Sequence, residues 1–380
     1  MNIVQIVSSP ASGGRELDSV LLSKAYTEMG HNSLLICRKD TPVDKAARNK
    51  GLQVWNTKMD GYLNPVSKLN LARQFRKFRP DVIDAHWTKD LSNIIVARSL
   101  YKRVPLILTK HVYSTVEKKD IFHTWTFKKT DKVLAVSNLV KENLFNTVNV
   151  DPEKVETLYN GIDAEKEWFP GAYGNSFRRE INCGDDDILI GMNGRLNEGK
   201  GQMELVEAMP IITAFLPSAK FVFAGRSEGQ QELAYQQKLK ERIEELGLTD
   251  RVHFAGFRYD LPVIVDSCDL VVMCSRFETF GMVLIESMAM EKPVIGTNAG
   301  GVPEIIEDGV NGRLYPPGNS RKLAECVIGI LSDRKSALVM GKAGRGTVLQ
   351  KFNLSKMAKD SEKIYLDLIS KYNILNTTCL

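Results

Sequence analysis

Residues 269–290 read DLVVMCSRFETFGMVLIESMAM. An unbroken apolar run at 270–274 gives way to a mixed segment, and from about Gly281 to Met290 the apolar positions recur at helical spacing. Five successive apolar residues have the length of a strand buried on both faces. Such strands belong to parallel sheets, whose crossovers are usually helices. The stretch reads as one strand, one loop and one helix of a parallel α/β layer.

The same unit recurs outward in both directions. Apolar runs at 3–7, 33–36, 82–85, 106–108 and 132–136 alternate with helical patterns at 16–29, 65–78, 91–101 and 139–145. Further on, runs at 188–192, 221–224, 252–254, 270–274 and 294–296 alternate with patterns at 203–215, 233–246, 282–290 and 321–331. About a dozen strands strain one open sheet, and 380 residues exceed one ordinary domain. Two doubly wound domains facing each other across a cleft are expected, with ligands beyond the carboxyl ends of the strands. Proline and glycines at 160–174 break the pattern, so the expected domains are 1–168 and 169–353. A helical segment, 354–380, is expected to pack back on the first.

Composition narrows the class. Charged residues are 26 % and the net charge is +5, too small a surplus for a nucleic-acid binder of the histone kind. It is unevenly placed: residues 1–170 hold 26 Lys and Arg against 19 Asp and Glu, the remainder 25 against 27. There is no run of about 18 apolar residues to span a bilayer. MNIVQIVSSPASGG has no basic region ahead of a long apolar stretch, so no signal peptide is expected. The six cysteines show no metal spacing and read as reduced thiols of a cytoplasmic protein. The first strand runs into SPASGG, which lacks GxGxxG, and no GxxxxGK[ST] occurs, so a dehydrogenase and a P-loop NTPase are disfavoured. Gly13 and Gly14 before a helix still offer backbone N–H groups, as an anion or sugar contact or simply a tight turn.

Two loops carry chemistry. Glu278 falls at the carboxyl end of a strand, and Glu286, eight residues later, about one turn inside the helix. Two carboxylates so spaced can hold distant parts of one elongated ligand, while a helix start at Gly281, Met282 and Val283 adds N–H groups and a positive dipole end. Upstream, GRLNEGKG at 194–201 also joins a strand to a helix. Arg195 and Lys200 on a glycine-rich loop suit a diphosphate, one as a bidentate partner and the other as a point charge.

These motifs resemble the retaining glycosyltransferases of family 4. The resemblance covers nearly the whole chain: GGxE at 13–16, Gly30-His31, VSN at 136–138, YNGID at 159–163, GRLNEGKG, FAGF at 254–257, the Glu-x7-Glu pair and GGVPEII at 300–306. It implies a GT-B fold, α/β with two Rossmann-like domains, the first binding the acceptor and the second a nucleotide-sugar donor. It further implies that Arg195 and Lys200 hold the diphosphate, that Glu278 contacts the donor sugar near the reacting carbon, and that Glu286 takes the ribose hydroxyls. Phe280, Gly281, Met282 and Val283 would cover sugar and phosphates, and Phe257 with Arg258 would border the base, largely through main chain. Gly14 would touch the donor, and His111 would approach the sugar from the first domain. His86 and Trp87 end a strand and would either bind acceptor or pack.

The implied reaction is transfer to a hydroxyl of a glycan or lipid-linked acceptor, in lipopolysaccharide or other surface-polysaccharide synthesis, with no metal and no cofactor. A nucleotide-sugar epimerase, a sugar phosphorylase and a non-catalytic nucleotide-sugar-binding subunit are the alternatives. Asp185–Asp187 mimics a metal-binding DxD but reads as a solvated turn. Basic clusters at 68–79 and 118–129, interleaved with aromatics, read as solvated helix faces or as a peripheral contact with anionic membrane.

Overall fold

The computed structural model describes residues 1–11, 14–59 and 65–377. The chain divides into unit 1, residues 1–161 with 354–380, and unit 2, residues 162–353. The break precedes the expected one by seven residues. Ile162 donates its N–H to the Phe352 carbonyl at 3.0 Å, and the Arg345 guanidinium holds the carbonyls of Trp168 and Ala164 at 3.1 and 3.4 Å. Residues 162–168 are thereby tied to unit 2. At this boundary the charge asymmetry widens: unit 1 has 29 Lys and Arg against 19 Asp and Glu, unit 2 has 22 against 27.

Unit 1 is built on β1 (Asn2–Val7), β2 (Asn32–Cys37), β3 (Gln53–Asn56), β4 (Val82–Ala85), β5 (Leu106–Lys110), β6 (Lys132–Ala135) and β7 (Val155–Thr157). All pairs are parallel, in the order 3-2-1-4-5-6-7. The crossovers carry α1 (Gly14–Glu28), α2 (Pro42–Asn49), α3 (Pro65–Phe78), α4 (Leu91–Ser99), α5 (Ile121–Lys129) and α6 (Asn138–Thr147). Side chains from both sheet faces are buried, among them Val4, Ile6, Ile83 and Leu108 on one and Ile3, Val82 and Ile107 on the other.

Unit 2 repeats the plan with β8 (Ile188–Asn193), β9 (Ala219–Ala224), β10 (Val252–Gly256), β11 (Leu270–Met273), β12 (Val294–Thr297) and β13 (Arg313–Tyr315). These too are parallel, in the order 10-9-8-11-12-13. Its helices are α7 (Ser176–Glu180), α8 (Gln202–Phe215), α9 (Gly229–Glu245), α10 (Leu261–Ser267), α11 (Met282–Ala289), α12 (Ser320–Leu331) and α13 (Arg334–Lys351). Strand order reverses between β1 and β4 in unit 1 and between β8 and β11 in unit 2. These switch points are where open α/β sheets leave a crevice for ligands.

The last helix, α14 (Leu354–Thr377), belongs to unit 1. Leu354, Met357, Ala358 and Tyr365 pack with Ile3, Leu22, Tyr26, Val82 and Leu134. His31, in the turn after α1, holds Glu362 of α14 at 2.7 Å. VSN and the first residue of YNGID meet within unit 1: Ser137 caps α6 by accepting from Val140 N, and the Asn138 amide donates to the Tyr159 hydroxyl at 2.9 Å. Five of the six cysteines are buried free thiols, and Cys379 lies outside the described residues. Among the described residues no helix is long and apolar enough to cross a membrane.

Candidate functional site

The unit 2 switch point gathers the two loops singled out in the sequence. After β8, Asn197 accepts from Lys200 N at 3.2 Å and folds 197–200 into a single turn. Gly201 follows at φ 73°, where any side chain would run into the Cys274 carbonyl. After β11, Arg276 N donates to the Gly199 carbonyl at 3.1 Å, so the loops lie side by side. Gly301 N donates to the Glu278 carbonyl at 2.8 Å, and Gly300, at φ 61°, leaves no room there for a Cβ. GGVPEII thus braces Glu278 from behind.

The side chains follow from that frame. Lys200 Nζ forms an ion pair with Glu278 Oε1, which also accepts from Ser275 Oγ at 2.9 Å. Arg195 faces Glu232 of α9 at 3.6 Å and its carbonyl accepts from Gln202. Gly281 precedes α11, and Met282 and Val283 form its first turn, the end at which a helix presents N–H groups and positive dipole. Glu286 is partly buried in α11, and burial lifts its carboxyl to about 7. The Phe280 ring is buried edge-on against Phe352. Phe257 is half exposed and stacks under Arg226 at 4.5 Å. Arg258 is held by Glu180 and Asp260, at 2.6 and 2.8 Å.

At the unit 1 switch point His86 follows β4 and His111 follows β5. Both are buried, with His86 Nδ1 3.0 Å from His111 Nε2. Beside them a cavity of about 250 Å³ is lined by Trp87, Lys89, Lys110, Val112, Tyr113 and Lys118, with no carboxylate among the described residues of its wall. Lys89 lies over the Trp87 ring at 5.2 Å. Gly14 begins α1, while Gly13 lies outside the described residues.

The sequence reading missed Asp18. It is buried on α1 and 3.8 Å from His111 Nε2, with neither carboxylate oxygen hydrogen-bonded among the described residues. Desolvation, then the charge of Asp84, raises its pKa to about 8. Its one sequence signal is a place two residues beyond Glu16, one helical step from the glycines. Asp18, His86 and His111 bring three ligand atoms within 4.8 Å of one another, a donor set that a divalent cation could use. Asp187 instead pairs with Lys220 at 2.8 Å and accepts from Gly184 N, and Asp185 accepts from Asn175, the duties of a structural turn. Asn193, at the end of β8, was missed too; both its amide atoms are buried without a hydrogen-bond partner among the described residues.

Known proteins share this architecture. A family model described as "Glycosyl transferases group 1" matches residues 175–347, and one described as "Glycosyltransferase Family 4" matches residues 13–166. An uncharacterized glycosyltransferase of Methanocaldococcus jannaschii is 32 % identical over 241 residues, 62 % of this chain and 59 % of its own. N-acetyl-alpha-D-glucosaminyl L-malate synthase of Bacillus anthracis is 29 % identical over 245 residues, 64 % of this chain and 61 % of its own. The matched parts thus span about three-fifths of these relatives. Among solved structures, the Anabaena protein HepE in complex with UDP superposes with a TM-score of 0.84 at 24 % identity, covering 97 % of this chain and 100 % of that one. A glycosyltransferase from Rickettsia africae gives 0.85 at 22 % identity, over 97 % and 98 %.

Proposed function

Because this chain belongs to family 4 of the glycosyltransferases and has their GT-B fold, we propose that it transfers a sugar, with retention of configuration, from a nucleotide-diphosphate sugar to a hydroxyl of a glycan or lipid-linked acceptor. The observation that carries this reading is the Lys200–Glu278 pair at the unit 2 switch point, beside the first turn of α11. Cleaving an anomeric bond to a diphosphate puts negative charge on the leaving phosphate and positive charge on the sugar carbon. Arg195, Lys200 and the positive end of α11 are suited to the first charge, and the Glu278 carboxylate to the second. Charge already fixed in place supports transfer without a metal. In this reading the leaving phosphate accepts the acceptor's proton on the same face, and Glu278 orients and stabilises.

On the acceptor side, three lysines and, among the described residues, no carboxylate line the cavity next to His86 and His111. That lining, with the surplus of positive charge in unit 1, supports an anionic acceptor. Exposed Val116 and Ile121 among Lys118, Lys119, Lys128 and Lys129 suit a peripheral site on anionic membrane, the setting of a lipid-linked acceptor in surface-polysaccharide synthesis.

Thermal shift against UDP-, GDP-, ADP- and CMP-linked sugars tests the donor. A ligand at 100 times its Kd stabilises by about 2.7 kcal/mol, and one base series should stand out. With that donor, Glu278→Ala and Lys200→Ala should each abolish transfer while leaving the circular dichroism unchanged. Full activity in either would refute the site.

A further inference from the structure

The cation of the GRLNEGKG loop that is not paired with Glu278 is Arg195, and its backbone has little freedom. Gly194 N donates to the Ala224 carbonyl at 2.8 Å and Leu196 N to the Arg226 carbonyl at 3.0 Å. The Arg195 carbonyl accepts from the Gln202 amide at 2.9 Å, and the Leu196 side chain is buried in the core that α8 and α9 share. The start of the Arg195 side chain is thereby fixed. Its far end is set by the next crossover.

That crossover leads from β9 into α9, whose N-cap is Glu228. Glu232, in the first turn, reaches back through Oε2 and accepts from Glu228 N at 2.7 Å, as the glutamate of a capping box does. One turn on, the buried Tyr235 hydroxyl accepts from Met203 N at 3.1 Å and pins α9 to the start of α8. The other oxygen, Glu232 Oε1, is left 3.6 Å from Arg195 Nη1, on a side chain only 15 % exposed. That separation is beyond the roughly 2.7–3.2 Å of an N–H···O hydrogen bond. Charge holds the guanidinium, and among the described residues none of its N–H groups is hydrogen-bonded. Arg258 is the contrast, since Glu180 and Asp260 take its Nε, Nη1 and Nη2 at 2.6 to 3.2 Å.

We propose that Glu232 is a positioning residue for the donor's diphosphate: it holds the Arg195 guanidinium in place before the ligand arrives, keeps it while the ligand is bound, and leaves its N–H fork to the phosphate oxygens. This rests on the reading of Arg195 as a diphosphate contact and adds what places it. A long side chain loses rotamer freedom when it binds, and a partner that has already restricted it lowers that cost. The same carboxylate repels an anionic ligand, but across the width of the guanidinium and through solvent, which weakens the repulsion. The sign of its effect on binding therefore tests the assignment.

Calorimetric titration of the full chain with UDP, GDP and ADP finds the tightest of the three, which serves as the probe. Arg195→Ala should weaken it about 10- to 100-fold, the size of a lost charge-assisted contact. Glu232→Gln keeps an acceptor for Glu228 N, and so keeps the cap, but turns an NH2 toward Arg195. It should weaken the probe about two- to fivefold, the scale of a half-exposed ion pair, with a nearly unchanged melting curve. In the Arg195→Ala background Glu232→Gln should change nothing, because it acts through the arginine. With the matching sugar donor, Glu232→Gln should raise the donor KM by the same factor and leave kcat within about twofold. An arginine placed before binding serves bound substrate and transition state alike.

Tighter or unchanged binding by Glu232→Gln overturns the proposal. So does a weakening of equal size in the Arg195→Ala background, which would mean a structural effect on the loop. Arg195→Ala binding as tightly as the wild type, or a wild type that binds none of the three nucleotides, would sink the reading of Arg195 itself, and the proposal would fall with it.

Discussion

Replacing Asp18 by asparagine should stabilise unit 1 at neutral pH and do nothing in acid. The Asp18 side chain is buried, its oxygens have no hydrogen-bond partner among the described residues, and its pKa stands at about 8 against roughly 3.9 in an unfolded chain. Below pH 4 the carboxyl is protonated in both states and contributes no pH dependence. Between about 4 and 8 the native state keeps a proton that the unfolded chain has lost, so stability falls as pH rises, by up to ~1.4 kcal/mol per unit. About three units lie between the unfolded pKa and pH 7, a penalty of the order of 4 kcal/mol that asparagine, which does not ionise, avoids. Urea unfolding of wild type and Asp18→Asn at pH 4.5, 6, 7 and 8 measures it. The variant's advantage should grow across the series and level off above pH 8. Parallel curves would refute the reasoning, because they would mean a carboxylate already ionised and paired with a charged His111 at 3.8 Å. A buried group this costly persists only where it serves something else, and so the variant should be more stable but a poorer transferase.

Three further outcomes follow from the same geometry. Gly300→Ala should cost about 1–3 kcal/mol in denaturant unfolding and lower transfer, because a Cβ at φ 61° collides with the Glu278 carbonyl. Sedimentation should carry the protein down with anionic vesicles and not with zwitterionic ones; equal recovery in both supernatants removes the membrane contact. EDTA should leave transfer intact, and loss of activity restored by manganese would reverse the metal-free mechanism.

The proposed donor loops were legible because each is continuous in sequence and closes a strand: Arg195 and Lys200 share one loop, Glu278 and Glu286 one loop and its helix. The central strands were legible for the same local reason, being short apolar runs interrupted by at most one polar residue. Edge strands were not. β3, Gln53–Asn56, has no fully buried residue, and β7 and β13 are three residues long, so each takes its identity from the neighbour it pairs with. α2, Pro42–Asn49, is short and half polar and is held by Thr41 capping Asp44 N. A buried polar chain in unit 1, from Gln5 through Tyr365 to Asp84, was beyond local reading. Gln5 and Asp84 sit inside apolar strands, and the partner that gives Asp84 its meaning, Tyr365, is 281 residues away.

Unit 2 carries a net negative charge, yet the proposed donor is an anion, and the pairing of its cations resolves the conflict. Lys200 is committed to Glu278, Arg195 to Glu232 and Arg258 to Glu180 and Asp260. On the proposed reading, an arriving diphosphate would compete with Glu278 for Lys200. A doubly charged ligand that took the lysine, as a neutral sugar would not, would free the Glu278 carboxylate. Ser275 Oγ, 2.9 Å from the same Oε1, would keep the carboxylate in place as the lysine left. Negative charge would then become available to the sugar carbon only once the leaving group was held. Net charge is therefore a poor guide to this site, because what matters is which carboxylate gives up its lysine and where that carboxylate then points.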